Sequence, residues 1–313
     1  MQRRNFMSHV SAGVAGVGVA ACGGGNADSG PKNPTFVFVH GAWHGGWCWA
    51  EAVRLLAEKG YSAIALDLPG HGLGAKFPAS YATQSFPALN TEASPLAAIG
   101  LNDYREHTLK TLRGLVAAGS GPVILVGHSL GGATITNVAE AAPELIRKVV
   151  YLTAFVPVPG RFAVPSVIQY IQDPIFAASE VPPLFIADPA VGAGRINHNS
   201  ADARYVAANR SAFYGDATDD AFKAVANLLT PDEPVQGFAN PVTVTVAKWG
   251  SVQKAFIRCT KDKAIPISVQ DIMIAEGNRF TPGNVFQQKT LVSDHSPFVT
   301  EPQNFVDTLI SLV

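Results

Sequence analysis

The sequence predicts an α/β fold: a mostly parallel sheet of about six strands, helices on both faces, and a mainly helical insertion over the strand ends. Two observations carry this. Short apolar, β-branched runs alternate along the chain with segments of helical period. Between residues 159 and 240 that alternation stops, and Pro165, Pro174, Pro182, Pro183 and Pro189 break the pattern. The chain's 313 residues, 47% apolar and 15% charged, suffice for one large domain with such an insertion. A net charge of −1, from 23 basic and 24 acidic residues, supplies no footprint for nucleic acid. Three cysteines make no disulfide framework, no internal repeat is visible, and no oligomeric state is assigned.

Residues 1–34 read as an address and a tether rather than as fold. Gln2-Arg3-Arg4-Asn5-Phe6-Met7 is a twin-arginine pattern, and the weakly apolar run that follows, 10–21, is too short and glycine-rich for a good membrane span. Val19-Ala20-Ala21-Cys22 resembles a bacterial lipobox. The expectation is export by the twin-arginine route, lipidation of Cys22 with cleavage before it, and residence in the periplasm or anchoring at a bacterial envelope membrane. A cleaved secretory signal with an incidental Cys22 is the alternative. The glycine-rich stretch 23–34 is a flexible tether. Because that exporter carries folded cargo, Cys48 and Cys259 are expected as reduced thiols.

The core is expected from 35–158 and 241–313, with the cap insertion at 159–240. Residues 35–39 form the first strand, and His40-Gly41-Ala42-Trp43-His44-Gly45-Gly46 turns into a helix over 50–58. His40 and His44 read as loop-fixing hydrogen bonders; Trp43, Trp47 and Trp49 read chiefly as packing. Residues 62–66 are the second strand, and Asp67 in the loop after it suits a turn-fixing carboxylate. Residues 76–100 make a long excursion. A helix follows over 101–117, with Asn102 or Asp103 as its cap. Strands are further expected at 149–153, 254–259 and 288–292, and helices at 267–276 and 302–312. Within the insertion, helices are expected at 202–213 and 219–229, the latter capped by Thr218. Val167, Ile168, Ile171, Ile175, Phe176, Leu184, Phe185, Phe213 and Phe222 would form its apolar underside.

The most informative stretch is Val123 to Ala133. An apolar strand pattern stops at Gly127-His128-Ser129-Leu130-Gly131, and a helical pattern runs on to about Ala142. Strand, sharp turn and helix would leave Ser129 in a strained conformation over a helix N-terminus, with Gly127 and Gly131 giving room for close neighbours. In parallel sheets ligands bind at the carboxyl ends of the strands. Ser129, Asp262 and His295 each fall just past such an end, so they are the candidate catalytic residues. A serine hydroxyl needs a base, His295, and the imidazole needs an orienting carboxylate, Asp262. The backbone N–H groups of Ala42 and Leu130 are the candidate oxyanion donors. Trp43, His128, Phe155 and Phe298 are candidate pocket residues. Asp294 beside the histidine, Asp271 in a helix, and Asp173, Asp188 and His198 in the insertion are poorer choices by position. No His/Asp/Cys cluster has metal-ligand spacing, so no metal is expected.

These motifs, together with Phe38-Val39-His40-Gly41, Leu66-Asp67-Leu68-Pro69, Cys259-Thr260-Lys261-Asp262 and Asp294-His295-Ser296, resemble the α/β-hydrolase superfamily. Within it the closer match is the branch of plant methylesterases, hydroxynitrile lyases and bacterial pyrethroid-hydrolysing carboxylesterases. The similarity covers 35–313. It implies cofactor-free hydrolysis of a small-molecule carboxylic ester through a serine acyl-enzyme. The lyases carry threonine and lysine where this chain has Gly41 and Ser296, and glutamate and cysteine where it has His128 and Leu130. Those differences disfavour cyanohydrin cleavage. Lactone, C–C or cyanohydrin cleavage, or ligand binding without catalysis, are the alternatives on the same fold.

Overall fold

The computed structural model describes residues 33–313. The twin-arginine pattern, the lipobox with Cys22 and nearly all of the tether lie outside the described residues. Strands β1 (Phe36–Val39), β2 (Ala63–Leu66), β3 (Val123–Ser129), β4 (Ile146–Ala154), β7 (Gln253–Cys259) and β8 (Gln287–Leu291) form one sheet in the order β2-β1-β3-β4-β7-β8. Every pairing in it is parallel. Two short strands, β5 (Ala193–Arg195) and β6 (Asp232–Pro234), pair antiparallel in a separate ribbon. The sequence reading had no place for this ribbon, because three-residue strands carry no legible period.

Side chains alternate across the central strands, and both faces are buried. Phe36, Phe38, Ile124, Val126, Val150 and Leu152 face one way, packed on Leu55, Leu56, Phe305 and Leu309. Val37, Val39, Leu125, Val149 and Tyr151 face the other, with Leu109, Ile135, Val138 and Met273 in the same core. Continuous apolar strands are the signature of a sheet covered on both sides. The helices Ala50–Glu58 and Leu101–Ala117 have the expected bounds. The cap of the second differs from expectation. Gly100 is the N-cap, while Asp103, one turn in, reaches back to the Gly100 N–H (2.8 Å), and Asn240 takes the Leu101 N–H (3.1 Å). A side chain from a distant segment is a partner that local pattern cannot reveal.

Between β4 and β7 the chain forms short helices at Val167–Gln172, Ala203–Phe213, Asp219–Ala226 and Val235–Ala239. Asp202 and Thr218 cap two of them, accepting from Arg204 N and Ala221 N. Arg195 on β5 is wholly buried. It pairs with both oxygens of Asp232 on β6 (2.6 and 2.8 Å) and donates to the carbonyls of Leu89 and Glu92. A buried charge with four of its donor contacts filled ties this ribbon to the excursion after β2. Cys48 and Cys259 are buried free thiols, and burial pushes both up in pKa.

Register decides what meets at the rim. Val39 pairs with Leu66 on one side and Gly127 on the other, while Ser129 aligns with Ala154 and Cys259 with Leu291. The loops that follow these residues therefore emerge together at one edge of the sheet.

Candidate active site

Ser129 ends β3 with φ at +52°, left-handed backbone that a non-glycine residue occupies only when its surroundings impose it. The close approach that imposes it is visible at Gly131: a β-carbon there would lie 2.5 Å from the His40 carbonyl oxygen. The loop after β1 thus lies directly against the first turn of the helix Gly131–Ala141. Gly41, on that loop, is similarly tight against Ser129, whose Cβ would be 2.7 Å from an added methyl.

Ser129 lines a cavity of about 30 Å³ with Ala42, Trp43, Leu130 and Phe155. Ile171, Phe176, Phe185, Phe213 and Phe238 close it from the segment between β4 and β7. Among the described residues, the N–H groups of Ala42 and Leu130 donate to no protein acceptor. The expected underside residues divide. Ile171, Phe176, Phe185 and Phe213 line this cavity, whereas Val167, Leu184 and Phe222 pack into the core.

Asp262 lies just beyond β7 and His295 beyond β8, and both are buried. His295 Nδ1 is 2.7 Å from Asp262 Oδ2, which also accepts from Thr153 Oγ1. The other carboxylate oxygen accepts the N–H groups of Ala264 (2.7 Å) and Ile265 (2.8 Å). Asp262 is therefore fully engaged as a carboxylate. By accepting at Nδ1 it favours the tautomer whose Nε2 lone pair is free. Thr153, at the end of β4 with φ at +35°, was not singled out from sequence; it read as an ordinary strand residue.

The rival carboxylates are occupied elsewhere. Asp294 accepts from the N–H groups of Asp216 and Ser296 and from Thr300 Oγ1. Asp271 pairs with Arg258, and Asp173 and Asp188 start short 3-10 turns. Asp67 accepts from Gly46 N (2.6 Å) and Leu73 N (2.9 Å), which joins the loops after β1 and β2.

Two of the expected pocket residues stand elsewhere. His128 and Phe298 are fully buried and do not line the cavity. His128 precedes Ser129 on the strand and points to the opposite face, where its Nε2–H donates to the His295 carbonyl (2.9 Å). Phe298 packs on Trp49 and His128, with ring centroids 4.6 and 4.9 Å apart. His128 thus braces the His295 backbone instead of meeting a ligand. The other loop histidines are also structural. His40 Nδ1–H donates to Gly41 O (2.8 Å) while its Nε2 accepts Leu68 N–H (3.1 Å). His44 Nδ1–H donates to Ala42 O (2.6 Å), and its Nε2 meets Tyr214 Oη (2.5 Å). Burial holds His40 and His128 well below the ordinary imidazole value and lowers His44 and His198 to about 3, so these rings stay neutral.

Among the described residues, no group of three His, Cys, Asp or Glu side chains is placed to hold a metal ion, and no helix is long and apolar enough to cross a membrane.

Sheet order, elbow and rim define the class, and residues 36–308 match the alpha/beta hydrolase family; the chain belongs to it. Within that class it is similar to Methylesterase 18 of Arabidopsis thaliana, 28% identical over 88% of this chain and 95% of that protein. It is likewise similar to Methyl jasmonate esterase 1 of Vitis vinifera, 28% identical over 89% of this chain and 96% of the relative. Among solved structures, a pyrethroid hydrolase from Sphingobium faniae JZ-2 superposes with a TM-score of 0.69 at 22% identity, covering 89% of this chain and 96% of the other.

Proposed function

We propose that this protein is a serine carboxylesterase acting on neutral, apolar esters. The observation that carries the reading is the shared cavity wall: Ser129, held in an elbow, beside two N–H groups that donate to no acceptor among the described residues. In this reading Ser129 Oγ attacks the ester carbonyl while His295, oriented by Asp262, removes its proton and passes it to the leaving alcohol. Ala42 and Leu130 N–H groups receive the negative charge on the carbonyl oxygen; one such donor is worth roughly 3–4 kcal/mol in the transition state. Water then hydrolyses the acyl-enzyme by the same proton path in reverse. The esterase names of the sequence relatives support this choice over lactone or cyanohydrin cleavage.

The lining also bears on substrate. Among the described residues no charged side chain borders the cavity, so a neutral ester suits it better than an anionic one. At about 30 Å³ it holds little more than a water molecule. A second cavity of about 300 Å³ adjoins it and shares Ile171, Phe185 and Phe238 as a partition. The larger apolar group of the ester is assigned to this second space, entered when the partition moves.

The direct test is Ser129→Ala assayed with p-nitrophenyl acetate and butyrate. Turnover should fall by on the order of 10³-fold or more, with folding intact by circular dichroism. Unchanged turnover in the pure variant would overturn the serine mechanism.

A further inference from the structure

Trp43 follows the proposed oxyanion donor Ala42, and its backbone is also left-handed, with φ at +63°. A bulky residue keeps such a conformation only where surrounding contacts over-determine it. Here those contacts come from the segment between β4 and β7. The Trp43 N–H donates to Glu233 Oε2 (3.1 Å), its carbonyl accepts from Thr230 N (2.8 Å) and Thr230 Oγ1 (3.1 Å), and its indole N–H donates to Gly194 O (2.9 Å). The peptide joining Ala42 to Trp43 is thereby gripped at both ends, because its oxygen takes the His44 Nδ1–H. The preceding carbonyl, that of Gly41, takes the His40 Nδ1–H. In this run of held groups the Ala42 N–H is left for the cavity.

Glu233 is the hub of the arrangement. It is 1% exposed, and three donors from separate parts of the hydrolase core converge on it. Besides Trp43 N–H, these are Tyr104 Oη at Oε1 (2.8 Å) and His71 Nε2 at Oε2 (2.9 Å). Burial alone would lower His71, but the charge and hydrogen bond of Glu233 outweigh it and raise the imidazole. A carboxylate buried at such cost and shared by three elements does not move freely.

We propose that Glu233 is a positioning residue for the reaction: by holding the Trp43 N–H it fixes the loop after β1 so that the Ala42 N–H points at the developing oxyanion. This rests on the serine-esterase reading above. It makes the segment over the strand ends part of the catalytic apparatus as well as a wall of the pocket.

The experiment compares wild type with Glu233→Gln and Thr230→Val, each checked for folding by thermal melting. For p-nitrophenyl butyrate, Glu233→Gln should lower kcat at least tenfold with KM within about threefold. Inhibition by a trifluoromethyl ketone, whose serine adduct carries the oxyanion, should weaken by a similar factor. Thr230→Val removes a contact to the same residue without touching the ion pair, and should lower kcat severalfold at constant KM. If Glu233→Gln does not fold, the Thr230→Val result decides. A folded Glu233→Gln protein with kcat within twofold of wild type, or with its loss confined to KM, overturns the proposal; so does unaltered kcat in Thr230→Val when that variant must decide. Labelling of wild type by a fluorophosphonate separates the two readings. If Ser129 is not labelled, the esterase mechanism itself fails. If it is labelled and the variants are unaffected, only the role of Glu233 fails.

Discussion

Asp262 concentrates four hydrogen bonds on one small side chain: two backbone N–H groups, a threonine hydroxyl and an imidazole. An acceptor-only group is required, because every neighbour is a donor. Asparagine fills the same volume but would turn its NH2 either against the Ala264 and Ile265 N–H groups or toward Thr153 and His295, where it favours the wrong imidazole tautomer. We expect Asp262→Asn to fold and to lose on the order of 10³–10⁴ in kcat. A kcat within tenfold of wild type would show that His295 does not depend on this carboxylate. Ser129, Asp262 and His295 stood out from sequence because each follows a recognisable strand. Thr153 and Glu233 did not: a threonine in a strand and a glutamate between prolines look ordinary until their distant partners are known.

At the level of elements, the strands and long helices follow from period and punctuation, since a sheet covered on both faces needs apolar strands. The segment between β4 and β7 is less legible. Its short helices and three-residue strands are held by Arg195–Asp232 and by caps, not by long amphipathic repeats. Its underside faces two cavities, and Phe185 belongs to the wall of both, with its ring centroid 6.0 Å from Trp43. Truncating it joins the two spaces. Phe185→Ala should therefore raise the ratio of kcat/KM for p-nitrophenyl octanoate over acetate by about tenfold or more, since two further methylenes finding an apolar site, at about 0.8 kcal/mol each, already correspond to that factor. An unchanged ratio would mean that the larger cavity does not receive the ester.

On the scale of the whole molecule, buried neutral histidines make stability depend on acidity. In the unfolded chain an imidazole binds its proton below about pH 6.5. His44 and His198, depressed by burial to about 3, refuse it when folded. Between those values the unfolded state holds more protons, so stability falls as pH drops through that window. The slope reaches about 1.4 kcal/mol per pH unit for each such group. His71 acts in the opposite sense. Its raised value gives a contribution present below about 6.5 and lost as pH climbs through the folded value. The urea midpoint should therefore decrease from pH 6.5 to 5, and His198→Asn should shallow that decline. A midpoint that stays level, or a His198→Asn protein with the wild-type slope, would count against neutral burial.

Legible in the residues alone were the six strands of the main sheet, the long helices, the family, and the three loops bearing Ser129, Asp262 and His295, because periodicity, turn residues and short motifs are local properties of a chain. Tertiary structure decided which side chains share a wall. It withdrew His128 and Phe298 from the pocket, brought Thr153 to Asp262, and set Glu233 under the Ala42 loop. Such meetings depend on strand register and on which face a residue takes, and both are settled only when distant segments pack together.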